Sequence, residues 1–177
     1  HDAGERLAEA LAGAPLDATI GVSLPEGERA LLGSDLLWRT RDELELVGHS
    51  QWSNRADAAL QSMLVQTLVG QARFRAATRQ GDAHADYELR WEVLDFEVVA
   101  ETRIAHFVAD VKLVALPSRR VVAQRVVRTH AELEGETSSG VAARALASAA
   151  RKGSAEIGVC SEGLSTTALP MASAAAT

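Results

Sequence analysis

The chain has 177 residues and a mass of 18.8 kDa, enough for one domain with a real hydrophobic core. Its hydrophobic share of 47% includes 33 alanines, and the larger apolar residues that remain are still too many for a disordered chain. Eighteen basic and 24 acidic residues give a net charge of −6, which lacks the footprint of a general nucleic-acid binder. The single cysteine, Cys160, excludes an intrachain disulfide and any multi-cysteine metal site. No run approaches the roughly 20 apolar residues that span a bilayer. The chain opens on His1 without a signal segment, so the expectation is that any targeting signal would lie upstream.

Residues Asp2 to Ala12 place Leu7, Ala8 and Leu11 at helical spacing ahead of Gly13 and Pro15, which fits a short helix or a frayed leader over 1–17. Ala18 to Leu24 reads as a strand ending at Pro25. Leu36 to Thr40 and Leu44 to Val47 flank a polar Arg41-Asp42-Glu43 turn, the pattern of a hairpin. After Trp52, with Ser53 or Asn54 as N-cap, residues Ala56, Leu60, Met63, Leu64, Thr67 and Leu68 recur at three- and four-residue spacing until Gly70. That spacing predicts an amphipathic helix.

Asp86 to Val99 alternates through Tyr87, Leu89, Trp91 and Val93, then changes phase to Leu94, Phe96 and Val98. A one-residue phase change of this kind marks a bulge or a sharp bend. Ala105 to Ala115 and Val121 to Leu133 continue as long strands joined by short turns, an antiparallel meander. Val141 to Ile157 carries a helical stripe that Gly153 weakens, and the Ser/Thr/Ala-rich stretch over 159–177 reads as a flexible C-terminal tail. The expected fold is one α+β domain over 1–158: a two-layer sandwich, with two main helices on one face of an antiparallel sheet.

Sequence motifs point to little chemistry. There is no Walker loop, G-x-G-x-x-G, H-E-x-x-H or G-x-S-x-G. His84 and Asp86 form an H-x-D pair without a third ligand nearby, so neither a metal nor a cofactor is expected. His49, His106 and His130 fall in strands. Glu88, Arg90 and Glu92 share one strand face at period two, and a solvated charged face explains them better than paired catalytic carboxylates. No catalytic residue is assigned. Trp52, Arg90 and Trp91 are the candidate structural-anchor or interaction residues, with Trp52 packing the start of the first long helix and Arg90 on an exposed strand face.

Several phrases occur in a suggestive order. They are Leu37-Trp38-Arg39-Thr40 with Asp42-Glu43-Leu44-Glu45-Leu46, the Trp52 helix start, Ala85-Asp86-Tyr87-Glu88-Leu89-Arg90 with Val93-Leu94-Asp95-Phe96-Glu97, and Val121-Val122-Ala123-Gln124-Arg125. In these, from about Ile20 to Ile157, the chain resembles the ABC-type transport auxiliary lipoproteins, the PqiC-like family associated with MCE lipid-transport systems. The family's lipidated N-terminal cysteine has no counterpart here, and its extended N-terminus is replaced by the Ala-rich Asp2 to Ala14. The resemblance implies a non-enzymatic periplasmic protein, held to the inner leaflet of the outer membrane by an N-terminal lipid anchor. Its implied partners are an MCE-type transport protein or permease complex and further copies of itself. Two other readings stay open. One is an envelope-assembly module with a TolB N-domain-like fold. The other is a small hydrolase or isomerase using His84, Asp86 or His106.

Overall fold

The computed structural model describes residues 16–32, 35–40, 43–51, 55–136 and 138–174. In chain order these form β1 (Leu16–Val22), β2 (Glu26–Gly27), α1 (Arg29–Leu32), β3 (Asp35–Thr40), β4 (Glu43–Gln51), α2 (Ala56–Gln71), β5 (Phe74–Arg79), β6 (Tyr87–Val99), β7 (Ile104–Ala115), β8 (Arg120–Glu132) and α3 (Ser139–Ala174). The 1–17 stretch expected as a short helix or leader falls almost wholly outside the described residues, and Trp52, Ser53 and Asn54 lie outside them altogether.

The fold is α+β, with an open sheet. β6, β7 and β8 form the antiparallel meander that the alternating pattern predicts, and β3 and β4 form the expected hairpin. The ladder between β6 and β7 slips by one residue between Val93 and Asp95, where the apolar phase changes. Leu94 is the extra residue and points to solvent, so Phe96 and Val98 return to the core side.

The sheet is mixed rather than wholly antiparallel. β6 is its spine: one edge carries β7, and the other takes β1, β2 and β3 in succession, all parallel to it. β5 then joins β1 in parallel. A parallel neighbour needs a long crossover, and the stretch from β1 to β5, which contains α2, supplies it.

Both long helices pack on one face of this sheet. α2 buries Ala56, Leu60, Leu64 and Leu68 at four-residue spacing. Its N-cap position is Arg55, which makes no side-chain cap bond, rather than Ser53 or Asn54. It ends at Ala72 in the left-handed conformation rather than at Gly70. α3 buries Val141, Ala142, Ala145, Leu146, Ala149, Ala150 and Ile157 against β7 and β8, and Thr129 Oγ1 donates to the Ala149 carbonyl at 2.6 Å.

Gly153 does not end α3. A Cβ built on it would meet Phe107 Cδ1 and lie 2.5 Å from Phe107 Cε1, so its bare Cα is what lets the helix touch the sheet. Gly158 is equally tight against the Gln71 side chain of α2. The helix then runs on to Ala174, through most of the 159–177 stretch expected as a flexible C-terminal tail.

Candidate docking face

With both long helices on one side, the opposite face of the meander carries the polar positions. Before the bulge these are Glu88, Arg90 and Glu92; after it, Asp95 and Glu97. Across from them β7 presents His106, Val108, Asp110 and Lys112, and β8 presents Gln124, Val126, Arg128 and His130.

At the β1 end of this face, the loop after β1 borders a cleft of about 750 Å³, whose lining includes Leu24, Glu26, Glu88, Arg90, Lys112 and Arg119. Glu88 departs from the expected solvated row. It is buried, with only 6% of its surface exposed, and its Oε1 accepts from Gln80 Nε2 and from Arg90 Nε at 3.0 Å. Arg90 is exposed as expected, yet it also neutralises a buried carboxylate. Reversing its charge is therefore expected to cost stability, unlike reversing a free surface charge.

Trp91 is on the other side of the strand. It is buried among core residues, and its indole N–H donates to the Ser23 carbonyl at 2.8 Å. This bond ties the chain leaving β1 to β6, and the buried ring leaves little surface for an exposed contact. Trp52 is outside the described residues.

A second charged group lies past the bulge. Arg39, from β3, forms a bidentate pair with the buried Glu97: Nε to Oε1 at 2.6 Å and Nη2 to Oε2 at 3.1 Å. Asp95 lies two residues away on the same face. Burial first, then the charge of Glu97, pushes its carboxyl up to about 7, while Arg39 pulls the other way. No local spacing announces this cluster, because Arg39 and Glu97 are 58 residues apart.

The candidate catalytic and metal residues are not brought together. Asp86 Oδ2 accepts the Thr19 backbone N–H at 2.8 Å, which fixes the junction of β1 with β6. His84 is exposed in the preceding loop, and His106 pairs with Glu97 near the far end of β6. Among the described residues there is no group of three or more potential metal ligands. The Tyr87 phenol is raised above its usual range, by burial and then by the Asp86 charge.

The family described as ABC-type transport auxiliary lipoprotein component matches residues 5–158. The chain belongs to this family. No match was found among curated proteins. Among solved structures, a DUF330-family protein from Xanthomonas campestris superposes with a TM-score of 0.79 at 20% identity, over 89% of this chain and 91% of the other. The PelC dodecamer of Paraburkholderia phytofirmans gives 0.53 at 14% identity, over 84% and 92%. A hypothetical protein from Chlamydia trachomatis gives 0.55 at 10% identity, over 84% and 97%. At these identities the structural likeness speaks to the fold alone.

Proposed function

We propose that this auxiliary lipoprotein acts without catalysis, as a periplasm-facing docking component of an MCE-linked envelope transport system that moves lipid. In this reading it is held at the inner leaflet of the outer membrane by a lipid anchor, and it engages the transport machinery and its own copies through the helix-free sheet face. The family match over 5–158 is the observation that carries the proposal. The geometry agrees: a rigid meander backed by two helices presents a broad polar surface on its other side. That Asp86 is committed to Thr19, with His106 near the opposite end of β6, supports the non-enzymatic reading. Self-association is supported by the dodecameric state of the PelC relative.

The test is chemical crosslinking of the full-length protein in intact cells of its source organism, followed by affinity purification and mass spectrometry. Enrichment of MCE-domain or permease subunits is the expected result. Recovery of peptidoglycan-synthesis proteins without any transport subunit would replace this reading with the envelope-assembly one.

A further inference from the structure

The chain is acidic overall, yet its charge is unevenly laid out. Between Asp110 and Glu132 there is no acidic residue, while Lys112, Arg119, Arg120, Arg125 and Arg128 are all present and exposed. Most of that stretch is β8, which among the described residues pairs only with β7. A basic strand thus borders a sheet whose protein is otherwise net negative.

The ladder shows which backbone groups this edge leaves over. The Leu133 N–H donates to the Arg103 carbonyl at 2.9 Å, and Arg103 and Leu133 extend the register that pairs Ile104 with Glu132. In an antiparallel ladder, hydrogen-bonded and non-hydrogen-bonded pairs alternate. The pairs at Ala131, Thr129, Val127 and Arg125 therefore bond inward to β7. Gln124, Val126, Arg128 and His130 turn their N–H and C=O groups outward. An independent contact agrees, because the His130 carbonyl accepts from Lys152 Nζ at 3.1 Å, outside the ladder.

Edges of this kind are usually blocked by lysines or bulges. Here both devices occur, one at each end. Lys152 covers His130, and the register shift between Leu113 and Val114 leaves Val122 as an extra residue on β8. Between them, 124–128 forms an open edge about 17 Å long. Exposed Val126 stands at its centre, Arg125 and Arg128 flank it, and the Gln124 amide already donates to both carboxylate oxygens of Asp110 at 2.9 Å. That bond engages the acid across the ladder from Val126, and the open edge itself contributes only positive side-chain charge.

We infer that β8 is a strand-addition site: an extended, acidic segment of a partner protein pairs with the outward backbone groups of Gln124, Val126 and Arg128. Backbone bonds supply the attachment, and Arg128, on the same sheet face as Gln124 and Val126, favours an acidic side chain on the incoming strand. This rests on the docking reading above and adds to the helix-free face a second attachment surface, its β8 edge, with a partner of stated chemistry.

The probe is a fluorescein-labelled seven-residue peptide of alternating Glu and Val, with a Lys/Val peptide as control, titrated by anisotropy into the full chain. The acidic peptide should bind saturably and slow hydrogen exchange at the amides of Gln124, Val126 and Arg128, while the Lys/Val peptide does neither. Val126→Pro removes one outward N–H without touching the inward ladder, a substitution tolerated on edges, and should weaken binding at least about tenfold. Arg128→Glu should weaken it about two- to fivefold, the range of an exposed ion pair.

Equal binding of both peptides, or parent-like binding by a folded Val126→Pro protein, would overturn the assignment. So would absent amide protection in the parent, which decides the matter should Val126→Pro fail to fold. Binding to phosphatidylglycerol vesicles without peptide binding would make the basic edge a lipid contact. Self-association that Val126→Pro abolishes, again without peptide binding, would assign the edge to a second copy. If the peptide result holds but crosslinking recovers no transport subunit, the transport reading fails while the strand site stands.

Discussion

Replacing Gly153 with alanine should destabilise the protein, although alanine is the better helix former. Helix propensity alone favours the substitution by about 0.8–1 kcal/mol. The new methyl, however, would lie 2.5 Å from Phe107 Cε1 and 3.2 Å from Thr129 Oγ1. Phe107 is fully buried and meets Phe96 edge-on, with ring centroids 6.0 Å apart, so the ring has little room to retreat. Overpacking of this kind costs about 1–3 kcal/mol, and the upper part of that range applies here. The net loss is about 1–2 kcal/mol, or a fall of about 2–8 °C in Tm for a domain of this size. Gly70→Ala is the matched control. Its Cβ would meet nothing within 4 Å, so only the propensity gain remains and Tm should rise by up to about 4 °C. Thermal unfolding of both variants and the parent checks the signs. A Phe107→Leu background should relieve part of the Gly153→Ala penalty, a coupling of about 0.5–3 kcal/mol. A Gly153→Ala protein melting at or above the parent would refute the close helix–sheet contact.

Other perturbations probe the charged groups and the Trp91 anchor. Because the folded Asp95 carboxyl is raised to about 7, its contribution to stability is complete below its unfolded pKa near 4 and is lost as pH rises towards 7. Asp95→Asn should therefore be more stable than the parent at pH 8 and should flatten the decline between pH 4 and 7, read from urea unfolding at a series of pH values. Arg39→Met strips the buried Glu97 of its partner and should cost about 1–3 kcal/mol, with a larger penalty at pH 8, where Asp95 is also ionised. Trp91→Phe removes the bond to the Ser23 carbonyl and should cost about 1–3 kcal/mol in the same assay. Arg90→Glu places a like charge against buried Glu88 and should lower Tm measurably, with most of the loss recovered by Glu88→Gln in the double variant.

What the sequence makes legible depends on how local each determinant is. The meander is readable because every second residue of β6 and β7 faces the core, and the bulge is readable because one extra residue, Leu94, shifts that alternation. β5 is missed because Phe-Arg-Ala-Ala-Thr-Arg contains a single large apolar residue, and its order comes from pairing with β1. The parallel placement of β1, β2 and β3 along β6 is hidden for the same reason: periodicity identifies a strand without naming its neighbour. Glycine is the sharpest case. Gly70 reads as a helix stop and Gly153 as a weak point of a helix, yet one faces open space and the other faces a buried ring 46 positions earlier in the chain. The charged groups follow the same logic. Glu88 reads as one of a solvated row and is buried through Gln80 and Arg90, whereas Glu97 owes its burial to Arg39, 58 residues away. The outward edge of β8 obeys the same rule. Its arginines are visible in the sequence, but their significance depends on which backbone groups the β7 ladder leaves over, and that is decided by register and not by composition.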